Sequence, residues 1–362
     1  VNSNRSFDAL VAGGGPGGLA AAIEVARGGL EVGIVDRPQS GPDKGETLAP
    51  AGAAVLRGLG VWDAFLRGAH RPCYAYRSVW GSPSVSSFDT VRDPFGNAWI
   101  LDRPALIDAL RCAAMALGVT LLEWEATPDF DRVESGWLVR RRAGGSLFAR
   151  FLIDATGRTS AVARRLGARR MTADRQIAVL AAIAGEEQTP SESMLVEAVD
   201  GGWWYSVHAP RVGLMLAFFT DRDLIDLRAA RTQSGFRALL AKSRATCGRA
   251  SAIDWPSIRP PVAMAAQSSA LDRICGDRWI AVGDAALAYD PLSGHGLTLA
   301  LASGRDGGMA VRASLAGDHA GLAQYAERMA RAGKTYELRR SVQYAAERRW
   351  RDFPFWRRRM AS

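Results

Sequence analysis

With 362 residues, 48% of them apolar, the chain can bury the core of one large or two intermingled domains. No run approaches the roughly 20 apolar residues of a membrane span, and the opening VNSNRSFDA lacks the basic-then-apolar layout of a signal peptide, so the expectation is a cytoplasmic protein without a membrane span. The formal charge of +9 is spread over Arg-rich helices and a C-terminal tail, and no zinc-finger, basic-zipper or RNP-like motif accompanies it, which argues against nucleic acid as a partner.

The stretch from Phe7 to Asp36 reads as one βαβ unit: an apolar strand, a glycine-rich turn, an Ala-rich helix and a second strand ending in an acid. Gly13 permits the tight turn, Gly15 lets backbone N–H groups approach a pyrophosphate, and Gly18 allows helix and strand to pack closely. Asp36 stands about 20 residues on, where an acid accepts hydrogen bonds from a ribose diol. The fingerprint alone does not separate FAD from NAD.

A Gly/Pro-rich loop containing Lys44, Gly45, Glu46 and Thr47 follows, placed either over a cofactor or in solvent. Then comes an amphipathic helix with Ala53, Leu56, Leu59, Trp62 and Phe65 on one face. Residues 71–101 alternate short β-like runs with turns and read as strands leaving the nucleotide domain. Arg103 and Pro104 begin a helix that Gly118 closes, putting Arg103 at a strand-to-helix corner, in solvent or against a cofactor. Three strands are expected in VTLLEWEAT, GWLVRRRA and SLFARFLIDATG, the last two joined as a hairpin through Gly144 and Gly145. The third runs through Asp154 into Gly157, a turn able to carry a second cofactor contact.

Between about Met171 and Ala270 the pattern turns β-rich, and this segment is the candidate substrate domain. Its run Trp203, Trp204, Tyr205 places the outer two residues on one strand face, as core or as binding site. The strand Trp279 to Val282 then ends in Gly283 and Asp284, followed by a loop with Pro291, Gly294 and Gly296 and a helix starting near Leu297; N–H groups there form an anion or carbonyl-oxygen site. From about Leu322 the chain reads as amphipathic helix, ending in a basic tail with Phe and Trp that Asp352 and Pro354 interrupt. Cys73, Cys112, Cys247 and Cys275 form no CxxC pair, and the four histidines have no metal-ligand spacing, so no metal centre is expected and redox chemistry falls to an organic cofactor.

Taken together, GGGPGG at 13–18 with Asp36, ATGRTS at 155–160 and GDAALAYDPLSGHG at 283–296 resemble the three FAD motifs of the single-component flavoprotein monooxygenases related to p-hydroxybenzoate hydroxylase. GETLAP at 45–50 and GWWYSVHAP at 202–210 are similar to the branch that holds the tryptophan halogenases. The ending ERRWRDFPFWRRR resembles flavoproteins that mature tryptophylquinone enzymes. The resemblance implies an α/β fold: a Rossmann-like FAD-binding domain (1–170 with 271–315, the strands near 71–101 being assignable to the other unit), an inserted β-rich substrate domain (171–270) and C-terminal helices (316–362). It also implies noncovalent FAD held by Gly13, Gly15, Pro16, Gly17 and Gly18 at the pyrophosphate, by Asp36 and Arg37 at the adenosine ribose, and by Glu46, Thr47 and Arg103 in the middle. Ala126, Asp154, Gly157, Gly283, Asp284, Pro291, Gly294, Gly296 and Leu297 complete the implied cofactor contacts, with Pro291 beside the reacting ring.

Trp203, Tyr205 and His208 are the expected substrate pocket, His208 reaching the cleft as acid or base if the strand ends there. The halogenases' WxWxIP-like run is altered here, and HRPCYAYRSVW at 70–80 has no lysine, which argues against halogenation. The activity implied is monooxygenation of an electron-rich aromatic, an indole or a tryptophan of a partner protein, with NAD(P)H as a transient reductant. Its rivals are a prenyl-reductase-like reduction of a double bond and a FAD-bound maturation chaperone without turnover.

Overall fold

A computed structural model describes residues 4–37, 44–124, 129–140, 145–183, 192–251, 259–318 and 320–360. Strand Asn4–Ala12 lies at the middle of a parallel sheet, between Val32–Asp36 and Ser146–Asp154, with Thr120–Glu123 and Trp279–Ala281 beyond them. Ala9, Leu10 and Val11 are all buried although successive side chains point to opposite faces, so both faces of the strand are covered, as a continuous apolar run in a parallel sheet requires.

Ser146–Asp154 serves two partners in turn. Its first half pairs antiparallel with Gly136–Arg140, and its last three residues pair parallel with Trp279–Ala281. The expected hairpin is present with Gly145 at φ +86°, whereas Gly144 lies outside the described residues. An additional strand, Asp129–Val133, extends that hairpin; its sequence DFDRV has no clean period-2 alternation to mark it as a strand.

Helix Pro16–Ala26 packs against the 20-residue helix Gly296–Leu315 so closely that a Cβ on Gly304 would stand 2.2 Å from the carbonyl oxygen of Gly17. Glycine removes the side chain that would hold two backbones apart. The single helix expected through Ala53 and Phe65 is two, Gly52–Gly58 and Trp62–Leu66, because Gly60 takes φ +67° between them.

The second large sheet has the order Val262–Ala265, Gln176–Ile183, Gly213–Asp221, Gly202–Ala209, Ser193–Val199, Ala75–Val79, Ser86–Asp89. Two strands from the 71–101 region thus belong to it, while Arg71–Cys73 and Ala98–Ile100 pair in a small sheet with Thr47–Leu48. One face of the large sheet carries Trp204, Leu216 and Phe218 against the short helices near Phe236 and Leu240. Its other face carries Trp203, Met215, Ala217 and Phe219, and there the C-terminal tail packs as core: Phe355 and Trp356 are fully buried. No helix among the described residues is long and apolar enough to cross a membrane.

Candidate functional site

Between the parallel sheet and the second face of the large sheet lies a cavity of about 760 Å³, well within the range of cofactor and ligand sites. One end is built from chain turns. The strand Asn4–Ala12 ends at Gly13, and helix Pro16–Ala26 starts with Gly15 at its N-cap and Pro16 in its first turn, so unpaired N–H groups and the positive end of the helix face the opening. A second turn follows Asp290 through Pro291 and Leu292, Gly294 takes φ +64°, and helix Gly296–Leu315 begins.

Charged side chains line the stretch between these turns. Glu46 and Arg103 form an ion pair across 57 residues of chain. Burial raises the Glu46 carboxyl, but Arg103 and Lys44 outweigh it and hold the group below its ordinary value. Asp284 lies 3.4 Å from Arg158; burial dominates there and pushes the carboxyl up, with Arg158, Lys44 and Arg170 opposing. Asp36 packs over Gly14 and lies 3.4 Å from Arg111. Arg158 donates to the carbonyls of Gln267 and Tyr289, and Arg170 to those of Asp284 and Ala285, so two guanidiniums brace the Asp284 turn from outside. Burial, with Arg158 beside it, lowers Arg170 to about 10.

Most residues expected at the cofactor are brought together here: Gly13, Gly15, Pro16, Gly17, Asp36, Arg37, Glu46, Thr47, Arg103, Gly157, Gly283, Asp284, Pro291, Gly294, Gly296 and Leu297 all line the cavity. Two expected residues, Gly18 and Asp154, serve otherwise. Gly18 packs under the turn, where a Cβ would stand 2.0 Å from the Gly13 carbonyl oxygen. Asp154 is buried outside the lining and accepts hydrogen bonds from Thr156 N at 2.9 Å and Ala163 N at 2.7 Å, which shapes the Gly157 turn. Ala126 lies outside the described residues.

Trp203 and Tyr205 line the cavity, but His208 does not. The strand runs on through Ala209 in register with Gly213, so the side-chain alternation is unbroken and His208 shares the opposite face with Trp204 and Ser206. The role of acid or base at the cleft is therefore withdrawn for His208. The sequence reading also missed Arg158, Asp290, Met194, Val196, Ala217 and Phe219, which are at the cavity. For the last four the signal was present, since each pair is two residues apart on a strand and faces the same way as Trp203 and Tyr205.

Tyr205 ties the two halves of the cavity together. Its hydroxyl donates to the carbonyl of Gly45 at 2.8 Å, pinning the segment that carries Glu46. Tyr205→Phe is expected to weaken FAD binding up to about tenfold, the range of one net hydrogen bond, with the ring packing retained. A fluorescence titration of the apoprotein checks this; unchanged affinity would mean that the segment is held without Tyr205.

Arg103 is positioned from behind. Asp102 caps its helix by accepting from Ala105 N at 3.1 Å, and the Asp102 N–H donates to His70 Nδ1 at 3.1 Å. His70 stacks on Phe65 at 3.9 Å, and burial pushes it down to about 4 against the opposing charge of Asp102. Since the unfolded chain takes up this proton near pH 6.5 and the folded chain only near 4, the contribution is whole above about 6.5 and is lost as pH falls toward 4. The gap in urea midpoint between wild type and His70→Gln should narrow across that window; parallel profiles would show that His70 protonates alike in the folded and unfolded chains.

The cavity fits an extended dinucleotide. A Cβ built on Gly15, Gly157, Gly294 or Gly296 would meet nothing within 4 Å, so at these four positions the absent side chains leave open space beside backbone. Anion-attracting N–H groups stand at the starts of two helices that line it, and among the described residues no cluster of His, Cys, Asp and Glu can hold a metal ion.

Known proteins resemble this chain over most of its length. LodB of Marinomonas mediterranea, described as an FAD-dependent oxidoreductase, is 27% identical over 99% of this chain and 98% of its own. A menaquinone reductase of Mycolicibacterium smegmatis is 25% identical over 83% of this chain and 75% of its own. Among solved structures, the peptidyl tryptophan dihydroxylase QhpG superposes with a TM-score of 0.82 at 24% identity, covering 98% of this chain and 78% of that one. The myxobacterial chondrochloren halogenase CndH superposes with a TM-score of 0.83 at 22% identity, covering 98% and 86%. These two likenesses concern the fold. Residues 6–339 match the FAD binding domain family; the chain belongs to that family and is a FAD-dependent oxidoreductase.

Proposed function

We propose that the protein is a monooxygenase that hydroxylates an electron-rich aromatic ring, with an indole, in particular a tryptophan side chain of a partner polypeptide, as its substrate and NAD(P)H as a transient reductant. One observation supports this reading above others. Beyond Pro291 and Leu292 the cavity is walled by Ala178, Leu180, Met194, Val196, Ala217, Phe219 and Met264, and the described side chains on this wall include no Asp, Glu, His or Lys.

A phenol needs a base to reach its reactive anion, whereas a neutral indole is already electron-rich. A wall without a base, bordered by an Asp290 whose carboxylate oxygens are already taken up by four donors, therefore suits the indole. The alanines leave room for a bicyclic ring, and the apolar wall keeps water from the reacting atoms. Bound FAD supplies the redox chemistry, taking electrons from the nicotinamide and activating O2. The chain's own part is to hold the cofactor between its two glycine turns, to offer N–H groups at Gly296 and Leu297 where negative charge develops, and to orient the ring against the apolar wall.

Pocket chemistry and the QhpG fold likeness together favour a polypeptide tryptophan over a free aromatic. The reduced thiols expected at the four free cysteines accord with a cytoplasmic site of action. A second reading is supported by the menaquinone reductase relatives and by the same apolar wall, which would also accept a prenyl chain: reduction of a double bond, without O2.

Simultaneous recording of NAD(P)H and O2 consumption, with mass spectrometry of the product, separates these readings. Tryptophan-containing peptide should stimulate both rates together and gain oxygen, and chloride or bromide in the buffer should leave no halogen in the product. NAD(P)H consumption without O2 favours the reductase; no turnover with any substrate favours a FAD-bound chaperone; a halogenated indole overturns the reading outright.

A further inference from the structure

We propose that Tyr344 and Arg340, on the C-terminal helix Ala320–Ala345, are positioning residues for the flavin: through Asp290 they set the turn that carries Pro291, Gly294 and Gly296, and with it the flavin's reduction potential. The proposal depends on FAD occupying the cavity and is independent of which substrate is oxidised.

Asp290 is 1% exposed, and each of its carboxylate oxygens has two donors. Oδ1 accepts from Gln176 Nε2 and from Leu292 N, both at 3.0 Å. Oδ2 accepts from the Tyr344 hydroxyl at 2.7 Å and from Arg340 Nε at 3.2 Å. Its own N–H donates to the Tyr336 hydroxyl at 2.7 Å. A carboxylate offers about four lone-pair sites, so this one has no spare acceptor and one orientation. The Leu292 N–H in that set belongs to the turn itself, which leads through Gly294 to His295 at the N-cap position of helix Gly296–Leu315.

The donors are themselves fixed. Arg340 Nη2 donates to Asp174 at 2.9 Å, and Gln176 Oε1 accepts from Arg359 Nη2 at 2.9 Å. Arg359 is 3% exposed, donates to Asp221 at 2.7 Å and lies over the Phe355 ring at 3.6 Å. The last helix, Pro354–Met360, thus braces the same cluster from the side of the large sheet.

Apart from the bond from the Asp290 N–H to Tyr336, each link is a charge-assisted hydrogen bond in a largely buried cluster, where removal of one partner leaves a buried charge underserved. Taking away the Tyr344 hydroxyl frees Asp290 to turn toward Arg340 and carries Leu292 with it. The N–H groups at Gly296 then fit the anionic pyrimidine edge of a reduced flavin less well, while the neutral oxidised ring is little affected.

Tyr344→Phe should weaken binding of reduced relative to oxidised FAD by about tenfold, lowering a two-electron potential by about 30 mV, and should shift the visible absorption of the bound flavin. The measurement is an anaerobic equilibrium titration of the holoprotein against a dye of known potential. Arg340→Gln should act in the same direction and serves if the first variant does not accumulate. Tyr325→Phe removes a hydroxyl on the same helix that donates to Ala281 at 2.9 Å; it should lower the melting temperature without moving the potential. A potential and spectrum unchanged in both Tyr344→Phe and Arg340→Gln, with only the melting temperature reduced, would overturn the proposal, as would an equal potential shift in Tyr325→Phe. Loss of FAD altogether in wild type would instead defeat the cofactor assignment.

Discussion

Gly15→Val is expected to abolish FAD binding while leaving the apoprotein folded, and Gly18→Val to do damage of a different kind. Gly15 has φ −76° and ψ 178°, an extended conformation open to any residue, and a Cβ there meets nothing within 4 Å. Its empty neighbourhood is the cavity itself. A valine costs the fold little, under about 1 kcal/mol for a poor N-cap residue, but its two methyl groups fill the mouth of the glycine turn where N–H groups approach the cofactor. A loss of affinity of at least about 100-fold, near 2.7 kcal/mol, follows.

At Gly18 a Cβ would lie 2.0 Å from the Gly13 carbonyl oxygen, so helix and strand must part. Gly18→Val should therefore lose cofactor and fold together. Apoprotein melting curves and FAD titrations of the two variants decide the matter; Gly15→Val with wild-type affinity would refute the placement of the cofactor at this turn.

The second large effect is on stability. Trp203 is 1% exposed, stacks on Phe219 with ring centroids 3.9 Å apart and shares its core with Tyr344, Phe355 and Trp356. Trp203→Ala removes a large buried side chain and is expected to cost about 3–5 kcal/mol, of which roughly 1 is the loss of the ring pair. Trp203→Phe keeps the stack and should cost less than half of that. Urea unfolding of both variants checks this, and a cost below about 1.5 kcal/mol for the alanine variant would show that the ring is a replaceable cavity wall. Core packing and cavity wall were rival readings of this residue in the sequence; in the structure the ring serves as both.

The cofactor end of the site was legible because its signals are local. A glycine turn needs its glycines within a few residues of one another, and strand, turn and helix follow in order along the chain. The substrate end is assembled from strands whose residues alternate between two buried faces, so hydrophobicity gave no sidedness. Parity did: Trp203 and Tyr205 are odd, His208 is even, and only an early strand end would have brought His208 to their side. In the Asp290 cluster, Tyr336, Arg340 and Tyr344 do share one face at i, i+4 and i+8 of a helix, but no spacing rule joins that face to Asp290, Asp174, Gln176 or Arg359. Nor does any periodicity reach Phe355 and Trp356, which lie in the basic ending past Asp352 and are nevertheless core.

The close contact of Gly17 with Gly304 also bears on how the chain reaches its fold. Strand Gly202–Ala209 pairs with its neighbours in sequence on both sides, Ser193–Val199 and Gly213–Asp221, and the three can form as soon as they are synthesised. The nucleotide cradle cannot, because helix Pro16–Ala26 has its apolar partner near the far end of the chain and contacts of such sequence separation form late. During translation the opening βαβ unit must wait, its Ala-rich helix uncovered, until the ribosome has released helix Gly296–Leu315. FAD affinity is therefore a property gained only once that helix has emerged, and nascent chains ending before it are left exposed to chaperones and proteases.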